Sequence, residues 1–178
     1  MIRPLHPMEI FLQPGDHYFA DRDTRIRTVL GSCVSITFWH PQLLVGGMCH
    51  YMLPQRGREQ RTDDWPVPDG RYADEAMALL LKKIDAAGEP YKDYQVKLFG
   101  GGNMFPRMHS TNMSRIGDLN VQAARRMVKQ YGFSCVAEHL GDIGHRNVVF
   151  EVWSGEVWVK HSQVLSITEQ GVMNRRLG

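Results

Sequence analysis

The sequence predicts an α+β fold in which strands outnumber helices, and three stretches carry that prediction. Residues 28–54, TVLGSCVSITFWHPQLLVGGMCHYMLP, hold two alternating runs joined by a turn at His40-Pro41-Gln42-Leu43, a β-hairpin pattern. Residues 71–87 place Tyr72, Ala76, Leu79, Leu80 and Ile84 on one helical stripe. The last third, from FSCVAEHL through the turn GDIGH to NVVFEVW and EVWVKH, alternates at the period of strands.

Taken in order, residues 8–30 read as short β segments around a Gly15-Asp16 turn. They end in a strand from Ile26 to Leu30 that leads into Gly31-Ser32-Cys33. The central hairpin follows. Residues 55–70, QRGREQRTDDWPVPDG, are charged, contain Pro and Gly, and show no apolar period, so they read as a surface loop. The helix from Arg71 to Ala87 takes Asp69 as its cap and Gly88 as its stop. Gln95 to Phe99 is a strand entering Gly100-Gly101-Gly102. A second helix spans about Leu119 to Tyr131, with Asp118 or Asn120 near its cap and Val121, Ala124, Met127 and Val128 as its stripe. Ser154-Gly155 between two alternating runs signals a final hairpin, with Trp153 and Trp158 packing beside it. The chain reads as one domain over residues 1–178, with a core of about 8–161 and a polar tail, 162–178, expected to fray.

Composition removes several function classes. Hydrophobic content of 43% and charged content of 22% are those of a soluble globular protein. The 21 basic residues are dispersed among 19 acidic ones and leave a net charge of +2, which does not mark a nucleic-acid binder. No apolar stretch approaches the ~20 residues of a membrane span, so no membrane insertion is expected. The N-terminal residues show no secretory pattern. Three widely spaced cysteines make no disulfide framework, and a reducing cytoplasm is the expected location. No HExxH and no Cys or His cluster has zinc spacing, so neither metal nor cofactor is expected.

The hairpin carries the chemistry. With the turn centred between Pro41 and Gln42, Cys33 falls opposite His50, and opposed Cβ atoms lie roughly 4.5–5.5 Å apart. A Cys–His pair is the minimum equipment for nucleophilic acyl chemistry. Alternation puts Val34, Ile36 and Phe38 on the other face, with Cys49, Gly47 and Val45 as partners, and makes that face apolar core. Cys33 shares the more polar face with Ser35, Thr37 and His50. Cys49 and Cys135 read as core. The blander reading is that Cys33 is one more buried small hydrophobe, and a bulge at Gly46-Gly47 would slip the register. In the catalytic reading His50 takes the thiol proton, and the backbone at Gly31-Ser32 and the N–H of Cys33 help hold an oxyanion. Pattern alone leaves Thr28, Ser35 and Thr37 open as the group that orients the imidazole.

The blocks LGSCVSITF and GGMCHYMLP resemble the signature of the CheD family, the bacterial chemoreceptor glutamine deamidases. The PGD turn, RYADEAMALLLKKI, KLFGGGNMF, IGDLN and GDIGHRNVVFEVWSGEVWVK follow in the family's order, so the likeness covers nearly all of residues 8–161. It implies a layered α/β/β sandwich whose central hairpin carries the active site. It also implies hydrolysis of glutamine side-chain amides in methyl-accepting chemotaxis receptors, giving glutamate and ammonia. Cys33 would be the nucleophile, His50 the general base and acid, and a threonine the third member. That threonine is assigned to Thr28, five residues before Cys33; some members carry it six before, where this chain has Arg27. Some members also bind a CheC-type phosphatase. Two rivals to receptor deamidation are hydrolysis of receptor glutamate methyl esters and a regulatory role toward such a phosphatase with low turnover. Gly100-Gly101-Gly102 lacks both the P-loop and dinucleotide patterns and reads as a tight turn near the site. His109 and His145 read as surface residues.

Overall fold

Nine strands and two α-helices form the described part of the chain, residues 3–57, 67–104 and 112–163 of a computed structural model. The strands are β1 (Met8–Phe11), β2 (His17–Ala20), β3 (Thr24–Leu30), β4 (Val34–His40), β5 (Val45–Cys49), β6 (Gln95–Gly100), β7 (Ser134–Leu140), β8 (His145–Glu151) and β9 (Glu156–Ser162). The helices are α1 (Ala73–Ala87) and α2 (Asn112–Gln130). Five strands pair in the order β2-β5-β4-β6-β7 and four in the order β1-β3-β8-β9. Both sheets are mixed, because β1 runs parallel to β3 and β7 parallel to β6.

Two cores account for the layering. Val34, Ile36, Phe38, Cys49, Val96 and Leu98 meet apolar residues of α1 and α2, including Ala76, Leu80, Ala124 and Met127. Trp39, Met48 and Phe99, from the other face of the five-stranded sheet, meet Ile26, Leu30, Val148 and Phe150 of the four-stranded one. The result is the α+β sandwich expected from the sequence, with helices, a five-stranded sheet and a four-stranded sheet in successive layers. Strand β4 lies in the middle, and every one of its residues is buried. That is why its supposedly polar face fails as a polar surface: Ser35 and Thr37 lie in the interior between the sheets.

The hairpin forms, but its turn is displaced. His40 pairs with Val45, so the turn is centred between Gln42 and Leu43 rather than between Pro41 and Gln42. Leu44 adopts a left-handed conformation (φ 53°) and donates its N–H to the His40 carbonyl at 2.9 Å, while Leu43 N–H reaches His40 Nδ1 at 3.2 Å. These bonds stabilise a four-residue turn over residues 41–44. Face assignments survive, because every partner moves by two residues. Ile36 now opposes Cys49, His50 stands opposite Ser35, and Cys33 is diagonal to His50. The ladder runs without a bulge through Gly46 and Gly47. A Cβ at Gly47 would lie 2.8 Å from both Leu80 and Phe19 side chains, so glycine there permits close packing.

Other expectations shift for physical reasons. Helix α1 begins at Ala73, and its N-cap, Tyr72, makes no side-chain cap bond; Asp69 binds the Arg71 side chain instead. Gly88 closes it in the left-handed conformation (φ 77°), as expected. Helix α2 begins seven residues earlier than the sequence suggests, which turns Asp118 and Asn120 into interior residues. Gly117 reads locally as a helix breaker, yet a Cβ there would lie 2.6 Å from the Gly101 carbonyl oxygen. It is glycine so that the helix can touch the glycine turn. Strand β7 is exposed along almost its whole length because it is an edge strand, so Cys135 is exposed and not core. Trp153 is buried, whereas Trp158 on edge strand β9 is exposed. His145 opens β8 and is partly buried. Most of the expected 55–70 loop, His109 and nearly all of the 162–178 tail lie outside the described residues.

Candidate active site

Thr28, Gly31, Ser32 and Cys33 lie along the passage from β3 of one sheet into β4 of the other, where His50 is hydrogen-bonded to Thr28 and diagonal to Cys33. Cys33 sits one residue before β4, half-buried against the inter-sheet core. His50 follows β5 and is 2% exposed, and Thr28 on β3 is 1% exposed. The Thr28 hydroxyl lies 2.8 Å from His50 Nδ1 and also donates to the Leu12 carbonyl at 2.8 Å. One hydroxyl carries one proton. Since Leu12 takes it, the bond to the ring must run from His50 Nδ1–H to the Thr28 oxygen. The ring proton is therefore fixed on Nδ1, and Nε2 presents a lone pair. Nε2 is buried and has no hydrogen-bond partner among the described residues, the Cys33 thiol included. Arg27, the alternative position for the threonine, points outward and pairs with Glu9 at 3.5 Å.

The backbone around these side chains is held at many points. Gly15 N–H donates to the His50 carbonyl at 2.7 Å, and His50 N–H donates to the Asp16 carbonyl at 2.9 Å. The PGD turn thus grips the histidine from both sides. Gly102 N–H reaches the Gly31 carbonyl and Gly101 N–H the Cys33 carbonyl, each at 2.8 Å. Gly100 (φ 109°) and Gly101 (φ 68°) both occupy the left-handed region, and a Cβ on Gly100 would lie 2.2 Å from the Cys33 carbonyl oxygen. The expected tight turn therefore lies directly under the cysteine. The Ser32 carbonyl, between the two, accepts from Asn120 Nδ2 at 3.0 Å. With all three carbonyls engaged, the peptide planes at 31–33 are fixed.

Burial dominates the electrostatics. It lowers the His50 pKa to about 4, against smaller opposing effects of the Leu12 carbonyl and Asp16. Burial also raises the Cys33 thiol above its ordinary 9.0. Both groups are neutral at pH 7, so the resting state is thiol and imidazole rather than thiolate and imidazolium. Cys49 is fully enclosed, and burial pushes its thiol up to about 12, which leaves it inert.

Sequence reasoning placed Asn120 only near a helix cap. In the structure this residue, fully buried in α2, donates from Nδ2 to Met52 O at 2.8 Å as well as to Ser32 O, and its own carbonyl accepts from Tyr51 Oη at 2.7 Å. A polar residue inside the IGDLN block was the available signal, but its partners are distant in sequence. One further group, His40, Glu89 and Asp93, brings potential ligand atoms within 4.8 Å of one another at the opposite end of β4. His40 Nδ1 already accepts from Leu43 N–H, which places the ring proton on Nε2, the nitrogen a metal would need.

The fold is an α+β sandwich in which a buried histidine and a threonine are hydrogen-bonded at the junction of the two sheets, with a cysteine diagonal to the histidine. The family model described as CheD chemotactic sensory transduction matches residues 52–161. A protein of Pseudomonas fluorescens named "Probable chemoreceptor glutamine deamidase CheD" is 49% identical over 162 residues, 90% of this chain and 89% of that one. A similarly named protein of Leptospira interrogans is 37% identical over 168 residues, covering 92% and 98% of the two chains. The chain belongs to the CheD family. The family model begins just after His50, but an alignment spanning 90% of the chain necessarily includes residues 28–50.

Proposed function

We propose that this protein is a protein-glutamine deamidase that converts specific glutamines of chemotaxis receptors to glutamate with release of ammonia. The observation that supports the mechanism is the Thr28–His50 bond, which holds the ring proton on Nδ1 and leaves Nε2 unpartnered among the described residues, with Cys33 diagonal to His50 across the strand pair. The names of the relatives supply the substrate class.

In this mechanism the Cys33 thiol gives its proton to His50 Nε2 as the sulfur attacks the glutamine Cδ. Starting from two neutral groups suits the buried site, since charge separates only as the bond forms. The carbonyl oxygen becomes an oxyanion held by backbone N–H groups of the fixed Gly31–Cys33 segment. The imidazolium then protonates the departing nitrogen, which leaves as ammonia and generates a thioester on Cys33. His50 Nε2 next takes a proton from water, whose oxygen attacks the thioester. Collapse releases the glutamate side chain, and the proton returns to sulfur. Thr28 keeps the ring proton on Nδ1 throughout. The substrates are the cytoplasmic helical regions of the receptors, which places the reaction in the cytoplasm. Among the described residues no helix is long and apolar enough to cross a membrane.

Intact mass spectrometry of a receptor cytoplasmic fragment tests the assignment. Wild-type protein should add about one mass unit per modified site with matching ammonia, and Cys33→Ala and His50→Ala should add none. An unchanged fragment mass with several cognate receptors would refute the enzyme reading. Loss of methanol from methylated fragments without amide hydrolysis would favour the methylesterase.

A further inference from the structure

The geometry points to Asn120 as the residue that positions Cys33 relative to His50, an inference that rests on the deamidase reading of this site. Asn120 occupies the interior of α2, where asparagine is a poor helix former and where burying an amide is unfavourable unless it is bonded. Its partners show what its placement achieves. Nδ2 spends one proton on the carbonyl of Ser32, the residue before Cys33, and the other on the carbonyl of Met52, two residues after His50. Its main-chain oxygen takes the hydroxyl of Tyr51, the residue after His50.

These contacts lie where the sheet stops holding the two strands together. Val34 and Tyr51 exchange the last pair of backbone bonds, at 3.1 and 3.0 Å. Ser32 and Met52 lie beyond that pair, on chains no longer joined by the ladder. Asn120 enters the gap and binds both carbonyls through a single nitrogen, so the two oxygens cannot separate without breaking a bond. The register makes Cys33 and His50 diagonal rather than opposed, one on each chain beside the Val34–Tyr51 pair, and Cys33 lies on the open side of that pair. The amide replaces the missing rung.

The chemistry selects asparagine. A serine offers one proton where two are needed, and an aspartate of the same shape offers none and faces two carbonyls. Glutamine carries the nitrogen one methylene too far. Asn120 Oδ1 is buried without a partner, so the side chain is held by its nitrogen alone.

The test uses full-length protein carrying Cys135→Ser, which removes the exposed thiol. Asn120→Asp and Asn120→Ser are compared with His50→Ala, each below its melting transition with near-UV circular dichroism confirming the fold. Two readouts are taken: turnover of the receptor fragment, and the pH profile of Cys33 alkylation by iodoacetamide, which needs no substrate. A misplacement of about 1 Å costs on the order of 10²-fold in rate. Both Asn120 variants should therefore lose at least tenfold in kcat with KM within threefold of wild type, and their alkylation profiles should move toward that of His50→Ala. If Asn120→Asp does not fold, Asn120→Ser alone decides. A folded variant with lowered melting temperature but wild-type kcat and alkylation profile would overturn the inference and leave Asn120 a structural residue. The deamidase reading fails separately: wild type would leave the receptor fragment unchanged, while the alkylation profiles would still report whether Asn120 sets the pair.

Discussion

Replacing Thr28 by valine removes one hydroxyl at nearly constant volume and tests the tautomer argument directly. Two bonds disappear, each 2.8 Å long, one to the Leu12 carbonyl and one from His50 Nδ1–H. Each buried group left without a partner costs about 1–3 kcal/mol. The Leu12 carbonyl and the ring each lose a partner, so the net loss of stability should be about 2–4 kcal/mol. For a chain of this size that is a fall of about 5–15 °C in melting temperature. Nothing then holds the ring proton on Nδ1, which has a consequence for the reaction, because a protonated Nε2 cannot accept the thiol proton. If the reactive tautomer becomes unfavourable by about 1.4–2.8 kcal/mol, the deamidation rate falls by roughly 10–100-fold. Thr28→Ser keeps the hydroxyl and should retain most of both properties. The assay is ammonia release from a receptor fragment, run beside thermal denaturation of the same preparations. A Thr28→Val protein within twofold of wild-type rate and with an unchanged midpoint would refute the proposed role of the threonine.

Further outcomes follow from the same geometry. His50 is neutral when folded because burial takes its pKa to about 4 from an ordinary 6.5, so between those values the unfolded chain binds the extra proton. Stability should therefore rise with pH across that window and be lost as pH falls from 6.5 through 4, by roughly 2–4 kcal/mol in total, and His50→Gln should flatten this part of a denaturation series. The acid limb of kcat/KM should likewise fall near pH 4, and a limb at 6.5 would contradict a buried base. Gly117→Ala should stabilise an ordinary helix by about 1 kcal/mol, but here its Cβ would meet the Gly101 carbonyl oxygen at 2.6 Å. A lowered melting temperature together with reduced activity is expected, and a stabilised variant would refute the close contact. In timed alkylation followed by peptide mapping, Cys135 should label first, Cys33 more slowly and Cys49 only on unfolding. Early labelling of Cys49 would contradict its enclosure.

The legible parts of this molecule were those written in local pattern. Alternation located β4 and β5, the apolar stripe located α1, and Gly88 marked its end. Where contacts across the fold set the outcome, local pattern misled. Gly117 looks like a boundary but lies inside α2 because a distant glycine turn approaches it. Cys135 alternates with Phe133 as a core residue would, yet among the described residues the strand is an edge and is exposed along almost its whole length. The turn moved by one residue because His40 accepts Leu43 N–H and Leu44 takes a left-handed conformation, choices that hydrophobic alternation does not encode.

The sequence by itself determined the α+β class, the two motif blocks, and the face of the sheet on which Cys33 and His50 lie. Period-two alternation preserves that face under a shift of two residues, so Cys33 and His50 stay on one face although they become diagonal rather than opposed. Only the tertiary structure decided the rest. It brought Thr28 and Leu12 onto the imidazole and so placed its proton. It also closed the PGD turn on His50, and set one amide of α2 across the open end of the ladder. Each of these is a hydrogen bond between residues far apart in the chain, and hydrogen bonds of that kind leave no periodic trace in sequence.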